Sequence, residues 1–341
     1  MMIGGVKLNR ELSTMTVILV VVALAPAVFH DNSYVMHLLI MSMIWAVAAA
    51  AWDLILGYGG IFNLAQVGFF AIGAYATAMA TIHWGLSPWF GLLLGAAASS
   101  LAGILIGLPC LRLKGIYVAL MTLAFFEVIA PLIVVGDAWG TGGKAGLFPI
   151  PAFSLGGYTF NSDELIPWYY LAWTIMTICL FIIYRLINSM LGLSFTALRD
   201  AEPFAQSLGI NRFKSALLVT GISSAITGLM GAYYAHYVVV ISPRMLGLDM
   251  FLFLLIMIIF GGASCFPGAV IGAFVITFLD DALRPLGSYR LLAFGGLMVI
   301  LILLIPKGLM GYLEKLENAV AGKLSGGNDA FNQVKDDLTK P

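Results

Sequence analysis

The chain has 341 residues, 61% of them hydrophobic and only 10% charged, with a mean hydropathy of +1.00. A soluble domain carries about 25% charged residues, so this much apolar side chain excludes a single soluble core and requires lipid as its solvent. The formal net charge is zero, which leaves no electrostatic footprint for a nucleic-acid partner.

Lys7 and Arg10 precede an apolar run at 14–29 that ends near Ala23-Leu24-Ala25. The run has the outline of a signal peptide, but Pro26 would follow the cleavage point, so it reads as an uncleaved first span. A helix needs about 20 residues to cross the hydrocarbon core. That ruler places spans at 14–30, 35–56, 61–82, 88–108, 116–135, 167–187, 214–240, 249–262, 266–283 and 289–306. The pair at 249–262 and 266–283 is short, and Gly261-Gly262 and Pro267-Gly268 interrupt it, which is the pattern of a re-entrant pair. The expected fold is therefore an all-α integral membrane protein of about 8–10 transmembrane helices, some short or re-entrant.

Lys7, Arg10, Arg112, Lys114, the 185–214 cluster, Lys307 and Lys315 fall on one side of these spans. The positive-inside rule makes that side, and both termini, cytoplasmic. Arg244, Arg284 and Arg290 are exceptions on the outer side. The domain plan is a transmembrane domain at 1–308, with an external loop at 136–167 and a cytoplasmic insert at 188–214, then a tail at 309–341. Leu309, Leu313, Leu316 and Val320 recur at helical spacing and predict an interfacial helix. The polar residues from Gly326 onward predict disorder.

Inside the spans, Gly68, Gly73 and Ala76, and Gly91, Gly95, Ala98 and Ala102, lay small residues on helix faces. Close backbone approach is how helices associate in lipid. Gly59-Gly60 followed by Asn63 and Gln66 puts loose backbone and polar side chains at a span's start, as where a chain lines a cavity or another protein surface. Gly261-Gly262 and Phe266-Pro267-Gly268-Ala269 faintly echo it, and an internal repeat would explain the echo. Glu127 falls mid-span. Two readings fit it, a residue on a solute path or a carboxyl hydrogen-bonded to a neighbouring helix. Asp53, Asp280 and Asp281 lie near span ends, and His236 beside Tyr233 and Tyr234 reads as an interfacial polar cluster. The three cysteines, Cys110, Cys179 and Cys265, have neither metal-ligand nor disulfide spacing. No catalytic residue set, nucleotide loop or zinc-protease motif is visible, so the chain is not read as an enzyme.

The insert at 188–214 carries the signals of a short helix. Asp200 and Glu202 suit its cap, Pro203 its first position and Gly209 its stop. The run Arg199-Asp200-Ala201-Glu202, then Ala205, Leu208-Gly209-Ile210-Asn211 and Lys214, resembles the coupling loop of ABC importer permeases. Gly57-Tyr58-Gly59-Gly60, Asn63-Leu64, Gly68 to Tyr75, the 111–117 segment, Thr122 to Phe125 with Glu127, Thr141-Gly142-Gly143, and Phe260 to Gly262 with Pro267 to Ala273 extend the likeness. In this order they resemble the LivM-type permease of branched-chain amino-acid ABC transporters, over most of residues 40–310. Where that family usually has an acidic residue ahead of the coupling glycine, this chain has Gln206.

The resemblance implies an importer in a bacterial inner membrane. This chain would pair with a second homologous permease subunit, two ABC ATPase subunits below and a periplasmic substrate-binding protein above. It would hold no cofactor itself, ATP-Mg lying on the partner ATPases. Arg199, Asp200, Glu202, Ala205, Leu208, Gly209 and Lys214 would couple to the ATPase, and Asn63, Gln66 and Glu127 are candidates for the translocation path. Branched-chain amino acids lead as solutes, with other amino acids, urea and small carboxylates as alternatives. A stand-alone secondary transporter is the competing class. It would need coupling charges at mid-span, for which Glu127 is the lone candidate.

Overall fold

The computed structural model describes residues 2–110, 113, 115–155, 158–161, 164–304 and 308–311. Arg112, Lys114, Asp163, Lys307, Lys315 and the expected tail helix beyond 311 lie outside the described residues. The structure is an all-α membrane fold with one small hairpin. Its first half runs α1 (Met2–Phe29), α2 (Ser33–Asp53), α3 (Gln66–His83), α4 (Pro88–Cys110), α5 (Ile116–Val135) and α6 (Leu165–Ile187). Then come α7 (Met190–Asp200), α8 (Glu202–Ser207), α9 (Arg212–Val238), α10 (Leu248–Gly261), α11 (Gly268–Ala282) and α12 (Arg290–Leu304). Among the described residues, α1, α2 with its π-helical extension Leu54–Tyr58, α4, α5, α6 and α9 are long and apolar enough to cross a bilayer.

Helix α2 runs through the middle and is almost wholly enclosed, with α6, α9 and α11 around it. Beside it, α3, α4 and α9 pack through their small residues. A β-carbon on Gly73 would lie 2.1 Å from the carbonyl oxygen of Gly228, so the α3–α9 crossing needs glycine there. At the periphery, α1 docks on α6, where the Trp173 indole donates to the carbonyl of Leu19 at 3.0 Å.

Helices α10 and α11 have 14 and 15 residues, or about 21–22 Å at 1.5 Å per residue, less than the ~30 Å core. They pack on each other, and the start of α10 and the end of α11 border one cavity. The pair thus enters and leaves at the same end of the molecule, with its turn at 262–267 pointing toward the other end.

One expectation needs correction. The third helix begins at Gln66 and not near 61. Residues 59–65 are held out of helix because the Asn63 carboxamide accepts from the N–H of Ala65 at 2.7 Å, while the Trp52 indole takes the Asn63 carbonyl at 2.7 Å. His236, in the last turn of α9, is fully buried within the protein. Its ring nitrogens meet the Thr77 hydroxyl at 2.8 Å and the Pro151 carbonyl at 2.7 Å. This pins the external loop onto α3 and α9. The loop also carries the antiparallel hairpin β1 (Ser154–Leu155) and β2 (Tyr158–Thr159), and Leu147 pairs with Ile241 beyond α9.

Candidate coupling site and inner cavity

The insert folds as two helices where the sequence predicts one. Ser189 starts α7, its hydroxyl accepting from the N–H groups of Leu191 at 3.2 Å and Gly192 at 3.4 Å. That cap is a signal the sequence carried. Asp200 is therefore the last residue of α7 and caps nothing. Ala201 occupies the cap position of α8, without a side-chain bond, and Pro203 is its second residue. Glu202, in the first turn, suits the positive end of a helix and is fixed by Arg212 at 3.3 Å and by the Gln206 amide at 3.1 Å. The stop falls where expected. Gly209 has φ +87°, its N–H reaches Gln206 O at 2.9 Å, and the Ile210 N–H reaches Ala205 O at 3.1 Å. These are the paired bonds of a glycine C-cap.

This short helix has one buried and one bare side. Ala205 is buried against the rest of the chain, whereas Phe204 and Leu208 are 66% and 67% exposed. Four residues apart, they stand on one face and make an apolar knob. Phe204 is missing from the residues singled out in the sequence, although its i, i+4 spacing to Leu208 was visible there. Lys214 is exposed, its N–H capped by the Asn211 carboxamide at 3.1 Å.

Arg199 does not face outward. Its guanidinium donates to the Gly57 carbonyl at 2.7 Å and the Ser264 hydroxyl at 2.8 Å, and it also holds Asp200 at 2.8 Å. That pairing lowers the Asp200 pKa from its ordinary value. Gly57 lies in the π-helical end of α2, at the edge of the break before α3, and Ser264 in the break between α10 and α11. The two breaks also grip each other. The Ser264 N–H donates to the Asp53 carboxylate at 2.9 Å, and the Phe266 N–H to the Tyr58 hydroxyl at 3.0 Å. The two glycine-rich segments that echo one another in the sequence thus meet at a single arginine.

A cavity of about 240 Å³ lies beside this strut, bordered by Gly59, Asn63, Thr122, Arg199, Glu202 and Arg212 among others. Of the path candidates, Asn63 borders it. Gln66 does not. It is fully buried between α3 and α9, where its amide donates to Ser223 at 3.1 Å and to Thr227. Glu127 sits on the exposed face of α5 with no hydrogen-bond partner among the described residues.

Residues 34–306 match the family described as the branched-chain amino acid transport system permease component. The chain belongs to that family. It is 29% identical over 329 residues to the high-affinity branched-chain amino acid transport system permease protein LivM of Salmonella typhimurium strain LT2, covering 90% of this chain and 76% of that one. It is 29% identical to the LivM of Escherichia coli K12, over 82% of this chain and 72% of that one. Similarity reaches the probable branched-chain amino acid transport permease protein LivM of Methanocaldococcus jannaschii at 26%, over 74% and 80% of the two chains. No solved structure matches the chain.

Proposed function

We propose that this chain is one of two homologous permease subunits of an ATP-driven importer for leucine, isoleucine and valine, multi-pass in a bacterial inner membrane. Both termini and the 188–214 insert face the cytoplasm. Two ATPase subunits, which carry the ATP-Mg, engage the insert, and a periplasmic binding protein delivers the solute from outside. The supporting observation is the link from α7, which runs directly into α8, through its Arg199 to both helix breaks. The bare Phe204–Leu208 knob seats on the ATPase. When the ATPases close, α7 and α8 move together, and Arg199 carries that motion to the α2–α3 and α10–α11 breaks at once. A break in a spanning helix is where such a motion is absorbed with least loss of packing. Asn63 and Glu127 are placed on the solute path, and Gln66 behind it as the tie between α3 and α9. The solute class rests on the names of the relatives.

The test is affinity purification from native membrane, mass spectrometry of what accompanies the chain, and uptake of radiolabelled leucine into proteoliposomes of the complex. The expected result is a second permease, an ATPase and uptake that requires ATP on the insert side. A chain that purifies alone and moves solute without ATP refutes the reading.

A further inference from the structure

A second cavity, of about 430 Å³, opens at the far end of α2 from the coupling site. Tyr34, at the start of α2, borders it, and Gly57 lies 23 residues further along, or about 35 Å at the helical rise. The cavity is therefore on the outer side in the orientation proposed above. Its volume is within the ~300–1,000 Å³ range of small-molecule sites.

Its lining has two parts. Met41, Trp45, Met250, Phe253 and Phe294 form an apolar part, and Trp45, Phe253 and Phe294 there are buried. The other part is charged with both signs, and most of those charges are spoken for. Asp280 and Arg290 form a two-point pair, with bonds of 2.6 and 2.5 Å. Asp281 accepts from the Tyr34 hydroxyl. Two groups remain. Asp249 has no hydrogen-bond or ion-pair partner among the described residues. Among the described residues, Arg284 has a 70% exposed side chain, a 3.7 Å ion pair with Asp281 and an interaction with the Tyr34 hydroxyl. A free carboxylate and a largely exposed guanidinium beside an aromatic and aliphatic floor are the complement of a zwitterion with an apolar side chain.

We propose that this outer cavity is a binding station for a free aliphatic α-amino acid. Asp249 takes the ammonium, Arg284 the carboxylate, and the Trp45–Phe253–Phe294 floor the side chain. The assignment rests on the amino-acid import reading. The walls carry a mechanical consequence. Asp249, Asp280 and Asp281 belong to the base of the α10–α11 pair, whose turn is the piece held by Arg199 and Asp53. The same pair therefore touches both the solute and the coupling strut, so a movement imposed at one end alters the cavity at the other.

The test uses the assembled transporter in nanodiscs, without ATP or binding protein. Equilibrium binding of radiolabelled L-leucine is competed with 3-methylbutylamine, which lacks the carboxylate, and 4-methylpentanoate, which lacks the ammonium. Loss of one charge-assisted hydrogen-bonding group corresponds to about tenfold in affinity. Each truncated ligand is expected to bind at least that much more weakly than leucine. Arg284→Gln is expected to weaken leucine about tenfold yet leave 3-methylbutylamine unchanged, and Asp249→Asn to weaken leucine equally yet leave 4-methylpentanoate unchanged. Both residues are exposed, so neither change threatens the fold. Wild-type leucine affinity in both variants overturns the proposal, as does a tightly held zwitterionic phospholipid that Arg284→Gln releases. If the complex imports leucine but does not bind it in this assay, the station is wrong and the permease reading stands. If it imports no amino acid, both fall.

Discussion

Replacing Arg199 by alanine should separate ATP hydrolysis from transport. The side chain makes two bonds that matter for the linkage, to the Gly57 carbonyl at 2.7 Å and to the Ser264 hydroxyl at 2.8 Å. A hydrogen bond from a charged donor contributes about 1.5–3 kcal/mol. The side chain is 31% exposed, so the lower figure applies to each, roughly 3 kcal/mol together. At 1.36 kcal/mol per decade this is about a hundredfold in the equilibrium that ties the breaks to the insert. The bond to Asp200 is exposed and adds little. Both acceptors are served by one nitrogen, Nη1; Arg199→Lys keeps a charged donor with N–H groups enough for both but on a stem one bond shorter, so its loss should be nearer tenfold. The assay is leucine taken up per ATP hydrolysed in proteoliposomes, with assembly checked by co-purification of the ATPase. The ATPase rate should stay within about twofold, because Arg199 does not face the ATPase, while uptake falls. An Arg199→Ala complex that assembles normally and keeps the wild-type ratio of uptake to ATP would refute the strut.

Gly209→Leu forces a branched side chain into φ +87°, at about 1–2 kcal/mol of backbone strain. It should disturb the stop of α8 and lower uptake about tenfold with the spans intact, and normal uptake removes the importance given to that cap. Phe204→Ser combined with Leu208→Ser deletes the exposed knob, and the ATPase should co-purify at least tenfold less, each buried apolar side chain being worth about 1.5–3 kcal/mol. Retention of the ATPase at wild-type stoichiometry would place the docking surface elsewhere. Gly73→Leu drives side chain toward backbone that lies 2.1 Å from the added β-carbon. A carbonyl on a packed helix has little room to yield, so a destabilisation of at least ~1–3 kcal/mol is expected, and an unchanged melting temperature in detergent would contradict the α3–α9 crossing. The Asp200 carboxyl is held below its ordinary value of 3.8. A depressed folded pKa means that its contribution is present above that value and lost only as pH falls through the lower one. Uptake should therefore show no Asp200-dependent change between pH ~8 and ~5. A step in that window that disappears in Asp200→Asn would be inconsistent with the Arg199–Asp200 pairing.

What could be read from the sequence follows from which interactions are local. The spans could be placed because each long apolar run must be helical in lipid, whatever it packs against. The stop at Gly209 could be placed because its bonds close within a few residues. The start of α3 could not, since Ile61 and Phe62 continue the apolar run, while the break depends on Trp52 capturing the Asn63 carbonyl. The direction of Arg199 was further out of reach. An arginine beside acidic residues on a cytoplasmic loop reads as a contact for a partner, yet its acceptors lie 142 and 65 residues away. Arg284 and Arg290 appeared as exceptions to the positive-inside count, and Asp249, Asp280 and Asp281 as separate acids. Only the pairing of α10 with α11 brings them to one cavity. The faint echo between Gly59-Gly60 and Gly261-Gly262 gains its meaning the same way. Each marks a hairpin whose break points toward the insert, and each break offers one oxygen to the same guanidinium. A single rigid donor that satisfies both makes the two hairpins answer to one displacement. Two separate contacts would allow each hairpin to move alone.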